Sequence, residues 1–232
     1  MNSINTAIDY AASKDVIVTT FDRFLENENV KFGAGYDSLA DGRACGEVIK
    51  GIDDGEEHVV FELMGPLNDP NGIARRDGFH EIVDPLTNLK IVQIPTDWST
   101  EKALSGMQNA LQKYPDVWAI YDASDHMDAS VDTALQEKGL LKKVGETGHV
   151  FRVSLGGGVA GYESSTKGFI DVLMVIPMEQ MGGPILESIV KLVNNEQLDD
   201  TRFYVPTFAL NGSEVEANKD KIWGYLFKDV TR

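Results

Sequence analysis

Short β-branched and apolar runs alternate along the chain with stretches whose apolar residues recur every three to four positions. Val16–Thr20 (VIVTT) reads as a strand buried on both faces. Ile4, Ala7, Ile8, Ala11 and Ala12 before it fit one face of a helix. A helix is expected over Ser38–Ile52, closed by Asp53-Asp54-Gly55, then a strand over His58–Met64 and a helix over Gly72–Val83. Asp84-Pro85 ends that helix because proline cannot donate into the ladder. The same reading gives strands at Leu89–Ile94, Val117–Ala123, Val150–Leu155 and Val172–Ile176. It places helices at Thr100–Lys113, Asp128–Lys138 and Pro184–Val193. Strand and helix repeat at roughly 25–35 residues per pair, the size of a βαβ unit. The pattern therefore predicts an α/β fold with parallel sheet and helices on both faces.

The 232 residues suffice for one large domain or two small ones, each with its own core. Twenty-one Lys+Arg against 37 Asp+Glu give a net charge of −16, which repels phosphate and argues against nucleic acid as a partner. A hydrophobic content of 42% with 25% charged residues is globular rather than disordered composition. The single cysteine, Cys45, rules out an intramolecular disulfide and a Cys-rich zinc site. No stretch reaches the ~18 consecutive apolar residues of a membrane span, and Met1–Asn5 has neither the basic nor the apolar region of a secretory signal.

Several short motifs have plain readings. Gly156-Gly157-Gly158-Val159-Ala160-Gly161 satisfies G-x-G-x-x-G, but it is not at the first βα turn and the following Tyr162–Thr166 is a weak helix start. A glycine-rich connection at the carboxyl end of a strand describes it better. Ser164-Ser165-Thr166-Lys167 matches S-x-x-K without the accompanying motifs in their required order. No two of His58, His80, His126 and His149 are spaced to hold a metal from one helix. His58 and His149 are expected at solvent edges of strands, and Asp53-Asp54 and Asp199-Asp200 in solvated turns. No catalytic set and no cofactor are expected.

What remains is a recurrence of polar residues after strands, at the end where open α/β sheets bind ligands. Asp22-Arg23 follows the first strand, Asn68, Asp69, Asn71 and Arg75 the second, and Ser124-Asp125 the fourth. With an aromatic such as Phe21 or Trp98, these groups suit a polyhydroxylated ligand. Carboxylates and guanidinium forks pair with vicinal hydroxyls, and ring faces stack on C–H surfaces.

In order and spacing, these residues resemble the type I periplasmic sugar-binding proteins, the ribose-binding-like components of ABC importers. The stretches that carry the likeness are Val18–Arg23, Tyr36-Asp37-Ser38, Gly42–Gly46, Phe61-Glu62-Leu63, Asn71–Phe79 (NGIARRDGF), Trp98, Ala103-Leu104, Met107 and Tyr114–Tyr121 (YPDVWAIY). The resemblance implies two parallel, doubly wound lobes joined by three hinge crossings, with ligand held between them by hinge closure. The N-terminal lobe would comprise 1–36 and 176–206, and the C-terminal lobe 37–175 and 207–232. It implies ligand contacts from Phe21, Asp22, Arg23, Arg75, Ser124, Asp125 and Gly156, a permease as partner, with a sensor kinase or chemoreceptor as a further one, and an extracytoplasmic location. Ser124 stands where the family usually has Asn, Gly156 where it usually has Asp, and Val175 where Gln is common, so the ligand is expected to differ from plain ribose. The Gly-rich turn is also similar to autoinducer-2 receptors, and the effector-binding core of LacI-type regulators shares the fold. Family members carry about three further βα units before Ile4–Arg23. The N-terminal lobe is therefore expected to be incomplete, Met1 to be an internal start, an artificial boundary or the start of a truncated gene product, and the lobe to be prone to self-association.

Overall fold

The computed structural model describes residues 2–230. The chain runs α1 (Asn2–Ala12), β1 (Val18–Asp22), β2 (Val30–Gly35), α2 (Ser38–Gly51), β3 (His58–Met64), α3 (Pro70–Val83), β4 (Leu89–Pro95) and α4 (Thr100–Lys113). It continues through β5 (Ala119–Asp122), α5 (Asp128–Glu137), β6 (Phe151–Gly156), α6 (Val159–Thr166), β7 (Val172–Val175) and α7 (Gly182–Val193). It ends with β8 (Arg202–Tyr204), β9 (Phe208–Asn211) and α8 (Trp223–Leu226). Two compact units result, Met1–Asp37 with Ile176–Thr207 and Ser38–Val175 with Phe208–Arg232, so the chain passes between them three times.

The first unit is built on a three-stranded parallel sheet in the order β1-β2-β8, with α7 packed over β1 and β2 and α1 against β1. The second holds a six-stranded sheet ordered β4-β3-β5-β6-β7-β9, parallel except for β9, which runs antiparallel to β7. One face of this sheet buries Phe61, Leu63 and Ile120 against Met107 and Leu111 of α4 and Val131 and Leu135 of α5. The other face carries α2 and α3, which lie close together. A Cβ on Gly42 would sit 2.1 Å from the Arg75 carbonyl oxygen, and one on Gly78 2.1 Å from that of Leu39. The two helices thus meet backbone to backbone, and only glycine admits that approach. The start of α3 is set by Asp69, whose carboxylate accepts from the Asn71 N–H (3.2 Å), and by Pro70 in the first turn.

Four differences from the sequence reading have local causes. β1 spans Val18–Asp22 rather than Val16–Thr20, so Asp22 closes the strand instead of following it, and Val16 is exposed. β1 is half-buried rather than buried on both faces because it is an edge strand. Strands β2, β8 and β9 carry weak local signals: β2 (VKFGAG) contains two glycines, and β8 and β9 have three and four residues. The Tyr162–Thr166 stretch does form a helix, α6, whose Ser164 and Ser165 are buried.

Candidate functional site

Four strands of the second unit, β3 to β6, end in a row of polar and aromatic groups. Arg75, on α3, is buried, and its Nη1 donates to the Ala123 carbonyl at the end of β5 (2.6 Å). Its guanidinium lies 5.8 Å from the Trp98 ring centroid, within cation–π range. Trp98, beyond β4, is held on three sides. Its Nε1 donates to Asp69 Oδ2 (2.7 Å), its ring lies where a Cβ on Gly65 would go, and its carbonyl accepts from His126 Nε2 (3.1 Å). A carbonyl only accepts, so His126 carries its proton on Nε2, and in the neutral ring Nδ1 accepts from the Ser124 hydroxyl (2.9 Å). Asp97 and Trp98 both lie in the left-handed region, at φ 51° and 57°. Two successive non-glycine residues there are costly, and the Asp69 and His126 bonds hold the tryptophan in place against that cost.

Asp125 organises the neighbouring turn. It follows β5, is buried, and accepts from the N–H of Gly158 (2.5 Å), ahead of α6. Gly156 has φ 154°, and a Cβ on it would lie 2.2 Å from Asp125 Oδ1, so the carboxylate occupies the space a side chain at 156 would need. The C-terminal segment closes the same turn. Trp223 Nε1 donates to the Gly156 carbonyl (3.0 Å) and the Gly224 N–H to that of Gly157 (2.9 Å).

Beneath the turn, between β5, β6 and α5, lies a cluster of buried charge. Arg152 donates from Nη2 to Asp128 (2.9 Å) and from Nη1 to Asp132 (2.5 Å). Ser154 donates to Asp128, and Ser164 to Asp132. Asp122 accepts from the Ser124 N–H through Oδ1, and its Oδ2 has no hydrogen-bond partner. Burial, reinforced by Asp128, holds the Asp122 carboxyl well above the usual range. Burial also raises Asp128 to about 6, against the pull of Arg152. Asp125 is raised to about 7, by burial first and Asp128 second, against the Gly158 N–H and Arg75.

A carboxyl raised in the folded state favours folding most when protonated. The Asp125 contribution is therefore full below its ordinary value of 3.8 and is lost as pH rises to about 7. Asp125→Asn keeps an acceptor for Gly158 without a titrating charge. The melting-temperature difference, variant minus wild type, is expected to grow in the variant's favour between pH 4 and pH 7 and to level off above it. A difference independent of pH would show that the Asp125 carboxyl titrates alike in the folded and unfolded protein.

In the first unit, Phe21, Asp22 and Arg23 stand at the carboxyl end of β1. Phe21 is exposed. Asp22 has φ 74°, accepts from the Tyr36 hydroxyl through Oδ1 (2.7 Å) and pairs with Arg23 through Oδ2. Tyr36 follows β2, so two adjacent strand ends orient one carboxylate.

Of the residues expected at a site, Arg75, Ser124, Asp125 and Gly156 lie together in the second unit, and Phe21, Asp22 and Arg23 together in the first. Trp98 stands beside Arg75. Sequence reasoning took Tyr36 only as part of the family likeness, missing its bond to Asp22, and passed over the Asp122–Asp128–Asp132–Arg152 cluster. Asp128 and Asp132, spaced i, i+4 on one helix, were the available signal for the cluster. His149 is not at a solvent edge, since its Nε2 is paired with Asp171 (2.7 Å) and its side chain is 11% exposed.

A family model described as a periplasmic binding protein domain matches residues 1–197. Among curated relatives, the D-apiose import binding protein of Actinobacillus succinogenes is 34% identical over 86 residues, covering 37% of this chain and 28% of that protein. The ribose import binding protein of Escherichia coli is 25% identical over 197 residues, covering 85% of this chain and 64% of that protein. The chain thus spans less than two thirds of the length of either. A galactofuranose binding protein superposes with a TM-score of 0.83 at 18% identity, over 95% of this chain and 75% of its own. The arabinose-transporter binding protein of Shewanella sp. ANA-3 superposes with a TM-score of 0.81 at 17% identity, over 93% and 72%. With the alternating α/β order, two units and three crossings, these matches place the chain in the type I periplasmic binding protein family.

Proposed function

We propose that the chain is a non-enzymatic sugar-binding component of an ABC import system, acting outside the cytoplasm and delivering its ligand to a membrane permease. The observation that carries this reading is the buried Arg75. It is braced on the Ala123 carbonyl and set beside a Trp98 ring held in a costly backbone conformation. A fixed guanidinium beside an aromatic ring suits a sugar, whose hydroxyls accept from the fork and whose C–H face covers the ring. Ser124, Asp125 and the Gly156 turn add polar groups in the second unit, and Phe21, Asp22 and Arg23 do so in the first. The curated relatives support a sugar, being named for import of D-apiose, ribose and D-allose.

A thermal-unfolding screen against pentoses, hexoses, their furanose-forming members and polyols tests the reading. One sugar is expected to raise the melting temperature saturably, by the equivalent of about 2.7 kcal/mol at 100 times its Kd. Arg75→Met is expected to weaken binding at least about 100-fold, since the guanidinium's paired bonds are lost in a polar site. No shift with any sugar, or an Arg75→Met variant that binds normally, would overturn the proposal.

A further inference from the structure

Ser124 is half-buried at the end of β5, and the direction of its hydroxyl hydrogen is fixed by its neighbours. The hydroxyl lies 2.9 Å from His126 Nδ1, while the opposite ring nitrogen, Nε2, lies 3.1 Å from the Trp98 carbonyl oxygen. A carbonyl only accepts, so it claims the one N–H of a neutral imidazole and leaves Nδ1 as an acceptor. Ser124 supplies the hydrogen that Nδ1 accepts. A hydroxyl has a single hydrogen, and with that hydrogen engaged Ser124 turns only lone pairs outward. Its backbone N–H is engaged as well, on Asp122 Oδ1 (3.1 Å).

The neighbouring helix terminus is committed in the same way. The Gly158 N–H stands at the N-terminal end of α6, where a fold of this kind can receive a negative charge. It donates instead to the buried Asp125 carboxyl (2.5 Å). That carboxyl also fills the space over the turn, because a Cβ on Gly156 or on Gly161 would strike it. The place for a ligand's anionic group is thus taken by the protein's own acid. On the other side stands Arg75, whose guanidinium only donates and whose Nη1 is bonded to the Ala123 carbonyl next to Ser124. A donor beside an acceptor matches a hydroxyl, which accepts from one and donates to the other. A carboxylate, ether or fluorine has no hydrogen to give and meets the Ser124 lone pairs with its own.

We propose, on the basis of the sugar-binding reading above, that His126 is a positioning residue that sets the selectivity of the site. By holding the Ser124 hydrogen it makes the site require a hydroxyl that donates. The ligand is therefore a neutral sugar, not a sugar acid or an ether at that position.

Two measurements test this, the first without ligand. In nitrogen NMR of the isotopically labelled protein at pH 8, the His126 ring, identified by its loss in His126→Ala, is expected to carry hydrogen on Nε2 and none on Nδ1. Its Nδ1 resonance is expected to move in Ser124→Ala. A ring carrying hydrogen on Nδ1 overturns the proposal. The second measurement compares D-ribose, D-allose and D-apiose with their monodeoxyfluoro analogues, in which fluorine accepts but cannot donate. At one ring position the fluorine is expected to weaken binding to the wild type at least about 100-fold. In Ser124→Ala and in His126→Ala the same fluorine is expected to weaken binding by less than about 10-fold. The double variant is expected to match Ser124→Ala, because His126 acts through Ser124. A merely structural role for His126, felt through a looser Trp98, weakens sugar and analogue alike and leaves their ratio unchanged. Failure of all three sugars to bind would remove the sugar-binding reading and the role of His126 with it. Binding with the same ratio in His126→Ala as in the wild type would remove the role of His126 alone.

Discussion

Gly42→Val is expected to destabilise the protein by about 3 kcal/mol or more, read as a large fall in the urea midpoint. The reason lies in what the new side chain strikes. Its Cβ would come within 2.1 Å of the Arg75 carbonyl oxygen and 3.0 Å of the Arg75 Cα. Backbone in the middle of a helix cannot swing aside as a flexible side chain does, so α2 and α3 must separate as bodies. Even Gly42→Ala forces part of this separation. Gly51, at the end of the same helix, has nothing within 4 Å of its would-be Cβ, and Gly51→Ala is expected to be close to neutral. Equal midpoints for Gly42→Ala and Gly51→Ala would refute the argument. The clash also reaches the proposed site, since a displaced α3 carries the Arg75 guanidinium away from Trp98. Sugar affinity should therefore fall in Gly42→Ala by more than the loss of folded protein explains.

Arg152→Met is expected to cost about 3–5 kcal/mol at pH 8, because it removes the cation from between Asp128 and Asp132 and leaves buried charge uncompensated. The sign with pH is that of any carboxylate–arginine pair, but burial moves the window up toward neutrality. Without Arg152 the folded-state Asp128 carboxyl rises further above its unfolded value, so its protonated form is favoured and the penalty shrinks as pH falls toward 5. Adding Asp128→Asn and Asp132→Asn removes the orphaned charges and is expected to recover most of the loss at pH 8. Melting curves of the single and triple variants at pH 5 and pH 8 check both statements. A penalty that stays constant with pH would mean that Arg152 acts by packing its stem rather than by its charge.

Elements with strong periodicity were legible in the sequence. α4 spans Thr100–Lys113 as its apolar spacing requires, and β3 spans His58–Met64 as its continuous apolar run requires. Elements formed by their partners were not. β2 gains its place by lying between β1 and β8, and β9 by pairing antiparallel with β7. The site shows the same division. Asp22, Arg75 and Ser124-Asp125 were visible as polar residues following strands, a local feature. The Tyr36 bond to Asp22 and the Trp223 bond to Gly156 join residues 14 and 67 positions apart, and no window of sequence displays them. β6 was half-legible. Its alternation of Arg152 and Ser154 with Val153 and Leu155 reads as a strand with one wet face, but that face is dry and its polarity is answered by α5.

The bonds from Trp223 and Gly224 to the Gly156–Gly158 turn also bear on the order of events at the ribosome. Synthesis delivers β3 to β7 in sequence, so most of the second unit's parallel sheet can assemble as the chain emerges. The glycine turn lacks its two anchoring bonds until residues 223 and 224 have left the exit tunnel, and β7 remains an open edge until β9 does. A nascent chain can thus have most of this unit's sheet in place while its glycine turn is still loose. Such timing makes the Trp223–Gly224 segment the last piece needed to fix that turn.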